Sequence, residues 1–366
     1  MSFWLILFAI LLILAISGTI YLFTRFHRFS FIEKLGKKHK LLSWLVCLIP
    51  FGGLACFGFI NYFTVIVVLI HLMIFWLIAD IIAAIIRKAA KKKRRLYIEG
   101  AAVVLFTAVY LAVGWYNAHT VKRTAYELRT DKPIAGGSLR IVGIADSHLG
   151  ITLDGEDFAR EMERVQEEKP DIVVVAGDFV DDDSCRADMV RSCKALGQLD
   201  TKYGVYFIFG NHDRGYYKGY RDFNVSDLCR ELEKNGVTVL EDETAEVTEG
   251  FNIIGRLDKN DEGRLEMPEY AENISPAAFS LVLDHQPNDY AKEAEAGADL
   301  VFSGHTHGGH LWPSGYVGLL LGANDFVYGH TKRDNTDFIV TSGISGWAIP
   351  FKTGTCSEYV VIDVKN

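Results

Sequence analysis

Five short polar motifs follow one another along the chain, and each comes directly after an apolar run. In chain order they are Asp146-Ser147-His148, Gly177-Asp178-Phe179-Val180-Asp181, Gly210-Asn211-His212-Asp213, Asp284-His285 and Gly304-His305-Thr306-His307. Any one of them alone would be an ordinary turn or helix cap, but together they hold five of the chain's 11 histidines. Because loops at the ends of adjacent strands meet at one edge of a sheet, the five motifs are predicted to form one site.

The side chains in these motifs are carboxylates, an amide and imidazoles, with no thiolate among them. That mixture of oxygen and nitrogen ligands suits Mn, Fe, Zn or Co better than Ca or an iron–sulfur centre. There are too many ligands for one four-coordinate ion, so two divalent ions that share a carboxylate are the simpler interpretation. Two ions about 3.5–4 Å apart form the clamp used for in-line displacement at phosphorus.

The apolar runs belong to a longer series of short strands, with helices between the early ones. Strands are predicted over Leu139–Ala145, Asp171–Ala176, Val205–Phe209, Val237–Leu240, Phe251–Gly255, Phe279–Leu283, Asp299–Phe302, Phe338–Thr341 and Tyr359–Val364. Helices are predicted over Glu156–Glu168, Cys185–Leu196, Val225–Lys234 and, more briefly, Pro287–Ala296. This order of elements indicates a layered α/β domain.

The first third of the chain has the composition of a membrane region. Four segments, each with roughly the 20 apolar residues that a span requires, are Phe3–Phe23, Leu41–Ile60, Tyr62–Ile86 and Leu96–Tyr116. The first could instead be a signal peptide, but no Lys or Arg precedes its apolar run and the run is long, which favours an uncleaved span. The predicted organisation is therefore four transmembrane helices over residues 1–118 and a catalytic domain over residues 119–366.

Basic residues in the connecting loops predict the orientation of these spans. The loop Arg25–Lys40 holds six basic residues and one acid, and the loop Arg87–Arg95 holds seven basic residues and no acid. The connection around Asn61 holds none. Positively charged loops remain in the cytoplasm, so the N-terminus and the domain after the fourth span are predicted to lie outside a cytoplasmic membrane.

Charge divides the chain in the same way as hydropathy. The first 120 residues carry 13 basic and three acidic residues, a net charge of +10, which leaves 25 basic and 43 acidic residues, or −18, for the rest. An acidic domain is repelled by a polyphosphate backbone, which argues against general nucleic-acid binding.

Two polar residues, His71 and Asp80, fall within the third predicted span. They could mark an ion path. We favour a structural interpretation, in which Asp80 pairs with Arg87 or Lys88 near the cytoplasmic end and His71 forms a hydrogen bond inside the bundle.

The cysteines do not form a recognisable metal or redox motif. Cys47 and Cys56 lie in apolar spans, and Cys185, Cys193, Cys229 and Cys356 show no C-x-x-C spacing. Buried thiols are the simpler interpretation, and a disulfide whose pairing cannot be read from sequence is the alternative.

The five motifs, in this order, resemble those of the calcineurin-like metallophosphoesterase superfamily, and most closely its bacterial membrane-associated branch. The resemblance covers roughly residues 120–366, and all five motifs are intact. It implies an α/β sandwich of two mixed β-sheets flanked by helices. It also implies hydrolysis of a phosphate ester by a water activated between two metal ions, with no covalent enzyme intermediate.

The resemblance implies a role for each motif residue. The implied ligands of the first metal ion are Asp146, His148 and His307. Asp178 would be shared by both ions. The implied ligands of the second ion are Asn211, His285 and His305. His212 would protonate the leaving group, and Asp181 would hold the imidazole of His212 in the correct tautomer.

The sequence differs from the family pattern, or leaves a role open, at three places. The membrane-associated branch usually continues its Gly-His-x-His motif with Gly-Gly-Gln, whereas this chain has Gly308-Gly309-His310. That difference concerns contacts with substrate rather than the metal site. Asp213 could orient a neighbour, although capping the turn suits it better. The segment Arg214-Gly215-Tyr216-Tyr217 could bind phosphate and a base or sugar, or could simply be an exposed loop.

Together these observations predict a membrane-anchored, two-metal hydrolase of phosphate esters. A site held beside the bilayer favours lipid-linked or cell-envelope phosphodiester or pyrophosphate substrates, and relatives include enzymes that act on nucleotide-diphosphate-linked lipid precursors. An extracytoplasmic nucleotide phosphodiesterase or nuclease is the alternative enzyme. A catalytically silent membrane sensor or scaffold is the alternative from another class, but a degraded motif would support it and none is degraded.

Overall fold

The computed structural model describes residues 2–59, 61–90, 97–216, 219–270 and 276–366, with side chains from residue 13 onward except residue 90. The chain divides into two compact units, Met1–Val113 and Gly114–Asn366.

The first unit consists of helices. They are α1 (Ser2–Phe26), α2 (Ser30–Lys38), α3 (Lys40–Cys56), α4 (Tyr62–Ala90) and α5 (Ile98–His119), of which α5 continues into the second unit. A 3₁₀ turn, Phe57–Phe59, extends α3. Within the described residues, three stretches are long and apolar enough to cross a membrane: Lys40–Phe59, Tyr62–Ala89 and Ile98–His119.

The predicted first span coincides with the backbone of α1, but the side chains before residue 13 lie outside the described residues. Ile60 and Leu96, at the ends of two other predicted spans, also lie outside them. The number of four spans therefore stays a prediction.

The two polar residues of α4 contact groups in the first unit. His71 is buried, and its Nδ1 lies 2.7 Å from the carbonyl oxygen of Val67. His71 therefore forms a structural hydrogen bond. The predicted partners of Asp80 are wrong. Asp80 forms ion pairs with Arg25 and, at 3.3 Å, with Arg28, because α1 packs beside α4 and brings Arg25, at its end, and Arg28, in the turn that follows, to the carboxylate.

The first β-sheet of the second unit has six strands. They are β1 (Lys122–Arg129), β2 (Ser138–Ile144), β3 (Ile172–Ala176), β4 (Val205–Ile208), β5 (Val237–Val239) and β12 (Glu358–Lys365), in the spatial order β1-β12-β2-β3-β4-β5. Strands β2 to β5 are parallel, and β12 runs antiparallel to β2. The motif-bearing ends of β2, β3 and β4 therefore lie at one edge.

The second β-sheet also has six strands. They are β6 (Glu243–Thr248), β7 (Phe251–Gly255), β8 (Phe279–Leu283), β9 (Leu300–Ser303), β10 (Gly329–Arg333) and β11 (Thr336–Val340), in the spatial order β10-β11-β9-β8-β7-β6. The four central strands are parallel, and the two edge strands, β6 and β10, are antiparallel to their neighbours.

Helices cover the outer faces of both sheets and complete the predicted α/β sandwich. The helices are α6 (Gly155–Glu167), α7 (Arg186–Gly197), α8 (Val225–Lys234), α9 (Met267–Tyr270), α10 (Tyr290–Glu295) and α11 (Ser314–Leu320). Apolar residues of α6, α7 and α8 pack on the first sheet, and those of α9 and α10 pack on the second. Asp154 caps the N-terminus of α6, and its side chain accepts hydrogen bonds from two backbone amides of the first turn.

The core between the two sheets is made of alternate side chains from their facing surfaces. Ile141, Val174, Leu281 and Phe302 are among its fully buried members. Gly143 faces Phe302 so closely that an added Cβ would lie 2.4 Å from the phenyl ring. A side chain at position 143 would therefore push the sheets apart. All six cysteines are free thiols.

Candidate metal centre

The five predicted motifs lie just after the carboxyl ends of five parallel strands. Asp146 follows β2, Asp178 follows β3 and Asn211 follows β4 in the first sheet. His285 follows β8 and His305 follows β9 in the second. The loops of both sheets meet at one edge of the sandwich.

A first group of metal-ligating side chains consists of Asp146, His148 and His307, all of which are buried. The Nε2 atoms of His148 and His307 lie 3.2 Å apart, and His307 Nε2 lies 3.7 Å from an Asp146 oxygen. His307 Nδ1 is buried and has no hydrogen-bonding partner. Burial, the largest cause, and the nearby Lys352 ammonium group hold the pKa of His307 well below its ordinary value, so its imidazole is neutral. A neutral His307 imidazole beside a carboxylate and a second imidazole fits a divalent ion.

A second group consists of Asp178, His285 and His305, with Asn211 beside them. His285 Nε2 lies 3.1 Å from Asp178 Oδ2 and 3.2 Å from Asn211 Oδ1. His285 Nδ1 lies 2.8 Å from the carbonyl oxygen of Ala176, so this nitrogen is the donor and Nε2 points to the oxygen ligands. Burial lowers the pKa of His305 to about 3, which leaves its imidazole neutral. This donor set also fits a divalent ion.

Asp178 connects the two groups. Its Oδ2 lies 3.1 Å from His285 Nε2 in the second group and 3.6 Å from His148 Nε2 in the first. Its other oxygen accepts a hydrogen bond of 2.8 Å from the backbone amide of His212. Burial alone would raise the pKa of Asp178, but the nearby imidazoles outweigh burial and hold the pKa below its usual range. The carboxylate is ionised and placed where two cations can share it.

The backbone at this edge is strained in a way that supports a functional site. Ten non-glycine residues in the described part of the chain have positive φ angles, and five of them are proposed ligands. Those five are Asp146, His148, Asp178, His305 and His307. Such conformations cost about 1–3 kcal/mol each and persist where the surroundings enforce them.

Glycines allow other loops to approach the two carboxylates. An added Cβ at Gly210 would lie 2.3 Å from an Asp178 oxygen, and one at Gly343 would lie 2.6 Å from the Asp146 Cβ. Any side chain at either position would displace a carboxylate. Gly210 belongs to a predicted motif, whereas Gly343 does not.

His212 stands beside the ligands and is oriented by a carboxylate. Its Nδ1 lies 3.1 Å from Asp181 Oδ1, and the other oxygen of Asp181 lies 3.1 Å from His148 Nδ1. Burial opposes protonation of His212, but the hydrogen bond with Asp181 and the charge of Asp178 raise its pKa. His148, Asp181 and His212 are close enough to hold an ion themselves. Because each Asp181 oxygen already pairs with one ring nitrogen, hydrogen bonding accounts for that cluster.

Comparison with known proteins identifies the family. The model of the calcineurin-like phosphoesterase family matches residues 139–309. An uncharacterised metallophosphoesterase from Aquifex aeolicus is 30% identical over 276 residues, which cover 72% of this chain and 99% of that protein. The chain belongs to the calcineurin-like metallophosphoesterases.

Two further comparisons give the extent of the similarity. A transmembrane protein with a metallophosphoesterase domain from Danio rerio is 29% identical over 280 residues, which cover 72% of this chain and 62% of that protein. Among solved structures, a dimetal phosphatase from Danio rerio is 12% identical with a TM-score of 0.38, and the match covers 55% of this chain and 86% of that one.

Asp213 of this metallophosphoesterase caps the turn, as the sequence favoured. Its carboxylate accepts hydrogen bonds of 2.7–3.0 Å from the backbone amides of Gly210, Asp178, Phe179 and Val180. Burial raises the pKa of Asp213 to about 6. Through its four hydrogen bonds, Asp213 shapes both the loop after β3 and the loop after β4.

The segment after Asp213 contributes an aromatic ring but no free cation. Arg214 forms ion pairs with Glu241 and Asp261 instead of facing the ligands. The hydroxyl of Tyr216 accepts a hydrogen bond of 2.7 Å from the Asn211 amide, and its ring packs edge-on against His212 at 5.0 Å between centroids. Tyr217 lies outside the described residues.

Two residues near the site belong to none of the sequence motifs. The half-exposed Trp347 places its ring 5.5 Å from that of His212. Lys352 is fully buried, and its ammonium group donates hydrogen bonds to the carbonyl oxygens of Ser342 and Gly343, which hold that loop against Asp146. Burial lowers the pKa of Lys352 to about 8. In the sequence, the only indication that Lys352 is buried near the site is its position at the end of an apolar run, and this indication is weak.

His310, the departure from the family pattern, has a structural role here. Its carbonyl oxygen accepts hydrogen bonds of 2.9 and 3.0 Å from the amides of Thr353 and Gly354. Its ring lies 5.3 Å from that of His307, and its Nε2 lies 3.2 Å from the Ile349 carbonyl oxygen. Burial lowers the pKa of His310 to about 3, so the ring is neutral.

Proposed function

We propose that this protein hydrolyses phosphate esters with two divalent metal ions at the edge of its β-sandwich. The observation that carries the proposal is the position of Asp178, whose Oδ2 lies within 3.6 Å of an imidazole nitrogen from each ligand group. Asp146, His148 and His307 would hold one ion. Asn211, His285 and His305 would hold the other, with Asp178 shared between them.

The residues around these ligands suggest how the reaction is assisted. Bound divalent ions would supply positive charge that acidifies water and offsets charge on the phosphate. His212 is 13% exposed on its side chain and has a raised pKa, so it can hold a proton where a leaving oxygen departs. Asp181 accepts the Nδ1 hydrogen of His212, which leaves the proton on Nε2 for transfer.

The rings beside His212 favour a leaving group with a flat face. Tyr216 and Trp347 both contact the His212 ring, and both are more than 40% exposed. A nucleoside base or the apolar face of a sugar can pack against such exposed rings. This observation favours a nucleotide phosphodiesterase or a nucleotide-linked lipid phosphatase among the phosphoesterases.

We propose that residues 1–118 fix the domain of residues 119–366 to a cytoplasmic membrane, with the catalytic domain outside. The charge of the loops Arg25–Lys40 and Arg87–Arg95 supports this orientation. Membrane attachment favours lipid-linked or cell-envelope phosphates as substrates. A reporter that is active only in the cytoplasm, fused after Asn366, should stay inactive. A strong reporter signal would reverse the orientation and remove the support for envelope substrates.

Metal removal tests the proposed chemistry directly. Protein in detergent is stripped with a chelator, and Mn, Fe, Zn or Co is then returned singly while hydrolysis of mono-, di- and lipid-linked phosphates is measured. We expect stripping to abolish hydrolysis and at least one of these metals to restore it. Mass spectrometry checks that the stripped protein is free of metal. Full turnover by that metal-free protein would refute the mechanism. Absence of turnover on every ester with two ions bound would favour the sensor or scaffold.

A further inference from the structure

A strongly apolar segment, residues 312–321, lies on the surface of the catalytic unit. It contains the short helix α11, and none of its ten residues carries a formal charge. Trp312, Tyr316, Leu320 and Leu321 are 62%, 68%, 86% and 77% exposed. Soluble domains seldom expose several large apolar side chains side by side unless the surface binds something.

The segment is held in place on the domain. An added Cβ at Gly315 would lie 2.9 Å from the Gly309 Cα, so α11 packs against the loop that follows His307. A cavity of about 300 Å³ lies beside it, and Trp312, Tyr316, Leu319 and Phe326 are among the lining residues. The exposure of Leu320 and Leu321 is therefore built into the fold.

Hydrogen bonds connect this segment to the end of α5. The Gly114 carbonyl oxygen accepts a bond of 2.8 Å from the Lys352 amide, and the Asn117 carbonyl oxygen accepts one of 2.9 Å from the Ser357 amide. The Trp312 amide donates a hydrogen bond of 3.0 Å to the side-chain oxygen of Thr353, the residue that follows Lys352. The apolar segment is thus linked to α5 by the hydrogen bond from Trp312 to Thr353, the peptide unit between Thr353 and Lys352, and the hydrogen bond from Lys352 to Gly114. α5 is long and apolar enough to span a membrane.

The end of α5 also carries residues typical of a membrane surface. Trp115 and Tyr116 are both more than half exposed in its last turns. Trp and Tyr are enriched where spans meet the headgroup layer. The hydrogen bond to Gly114 that leads towards the apolar segment lies one residue before Trp115.

We propose that residues 312–321 insert into the headgroup layer of the bilayer that α5 spans. The segment combines tryptophan, tyrosine and leucine with no charged group, the composition of a segment that lies in a membrane interface. A protein partner would be expected to find charged or hydrogen-bonding side chains that fix its register, and residues 312–321 offer few. This contact begins five residues after the proposed ligand His307 in the chain, so it would set the distance between the metal centre and the lipid surface.

Photo-crosslinking of the full chain in its native membrane tests this proposal. A diazirine amino acid is placed at Leu320 and, in a second variant, at Leu321, and adducts are analysed by mass spectrometry after irradiation. A probe at Leu105, which is 67% exposed in α5, serves as the lipid-contacting reference. The matched control is a probe at the exposed Glu249, which precedes β7 and lies at the opposite edge of the second sheet from the metal centre.

We expect phospholipid adducts at positions 320 and 321 in yields similar to those at 105 and about tenfold above those at 249. Adduct yields equal to those at 249 would overturn the proposal. Crosslinks to a second copy of this chain would assign the surface to an oligomer interface, and crosslinks only to other proteins would assign it to a protein partner. Either result would also overturn insertion into lipid. The experiment does not depend on enzymatic activity.

Discussion

The two β-sheets of the catalytic unit contribute different chemistry to the metal centre. The first sheet supplies every proposed oxygen ligand, namely Asp146, Asp178 and Asn211, together with one imidazole, His148. The second supplies only imidazoles, namely His285, His305 and His307. Both ligand groups contain residues from both sheets. The centre therefore depends on how the sheets pack, and neither sheet forms a complete ligand group by itself.

The loops of the two sheets are also held in place differently. In the first sheet, backbone amides bind Asp213 and glycines allow close approach to the carboxylates. In the second, the carboxylate of Asp284, next to His285, pairs with the buried Arg256 at 2.8 Å. Arg256 also pairs with Asp289 and Glu293. Hydrogen bonds from neutral groups thus shape the oxygen-rich loops, whereas buried charges support the nitrogen-rich one.

The largest effect is expected at the carboxylate that serves both groups. Asp178→Asn replaces a charged oxygen by a neutral amide between two cations, so metal occupancy and turnover should both fall, turnover by roughly 10³-fold or more. The matched variant His305→Ala removes one ligand of the second sheet and should lower the occupancy of one ion only. Metal content per chain after dialysis distinguishes the two variants. Retention of both ions by Asp178→Asn would show that Asp178 is not shared.

His212→Ala should separate chemistry from metal binding. We expect both ions to remain while turnover falls by roughly 10²–10⁴-fold, the usual contribution of a positioned acid. The loss should be smaller for a nitrophenyl ester, because nitrophenolate leaves without protonation. Release of metal, or an equal loss on good and poor leaving groups, would contradict the role of His212.

Gly143→Ala should disturb the packing of the sheets without changing any ligand. The added methyl group meets the Phe302 ring, and such overpacking costs about 1–3 kcal/mol of folding free energy. The melting temperature of the metal-free protein measures the loss. Phe302→Leu in the same chain should recover part of it, since the ring is what the methyl group meets. An unchanged melting temperature for Gly143→Ala would show that the sheets can separate freely at this point.

The smallest effect is expected at the opening of the site. Trp347→Ala should raise KM roughly two- to tenfold for an ester with a ring in its leaving group, the value of one aromatic contact, and leave kcat nearly unchanged. Trp347→Phe should restore most of the binding. An equal change in KM for methyl and nucleoside esters would show that Trp347 does not contact the leaving group.

The sequence predicted the central strands of both sheets because they are apolar and bounded by turns. It missed β1, β6 and β10, three strands at sheet edges, because polar residues such as Lys122, Glu243 and Lys332 alternate along them. Edge strands carry such residues to avoid pairing with other chains. The helix α11 was missed because its apolar residues are exposed and follow no helical stripe.

For the site, the motifs predicted which residues meet, and the structure brings all seven proposed ligands, His212 and Asp181 to one edge. The supporting residues could not be predicted. Trp347 and Lys352 come from a loop between β11 and β12 that carries no motif, and only the folded chain brings them close. The partner of Asp80 was missed for the same reason, since Arg25 is 55 residues away in sequence.

Only Thr120 and Val121 separate the end of α5 from the start of β1. Two residues span about 7 Å at most, so β1 begins close to the last turn of α5. With α5 in a bilayer, as proposed above, a reactant in that bilayer would meet the enzyme by lateral diffusion in two dimensions. The encounter rate would then depend on the number of molecules per unit area of membrane, and dilution of the surrounding solution would leave it unchanged.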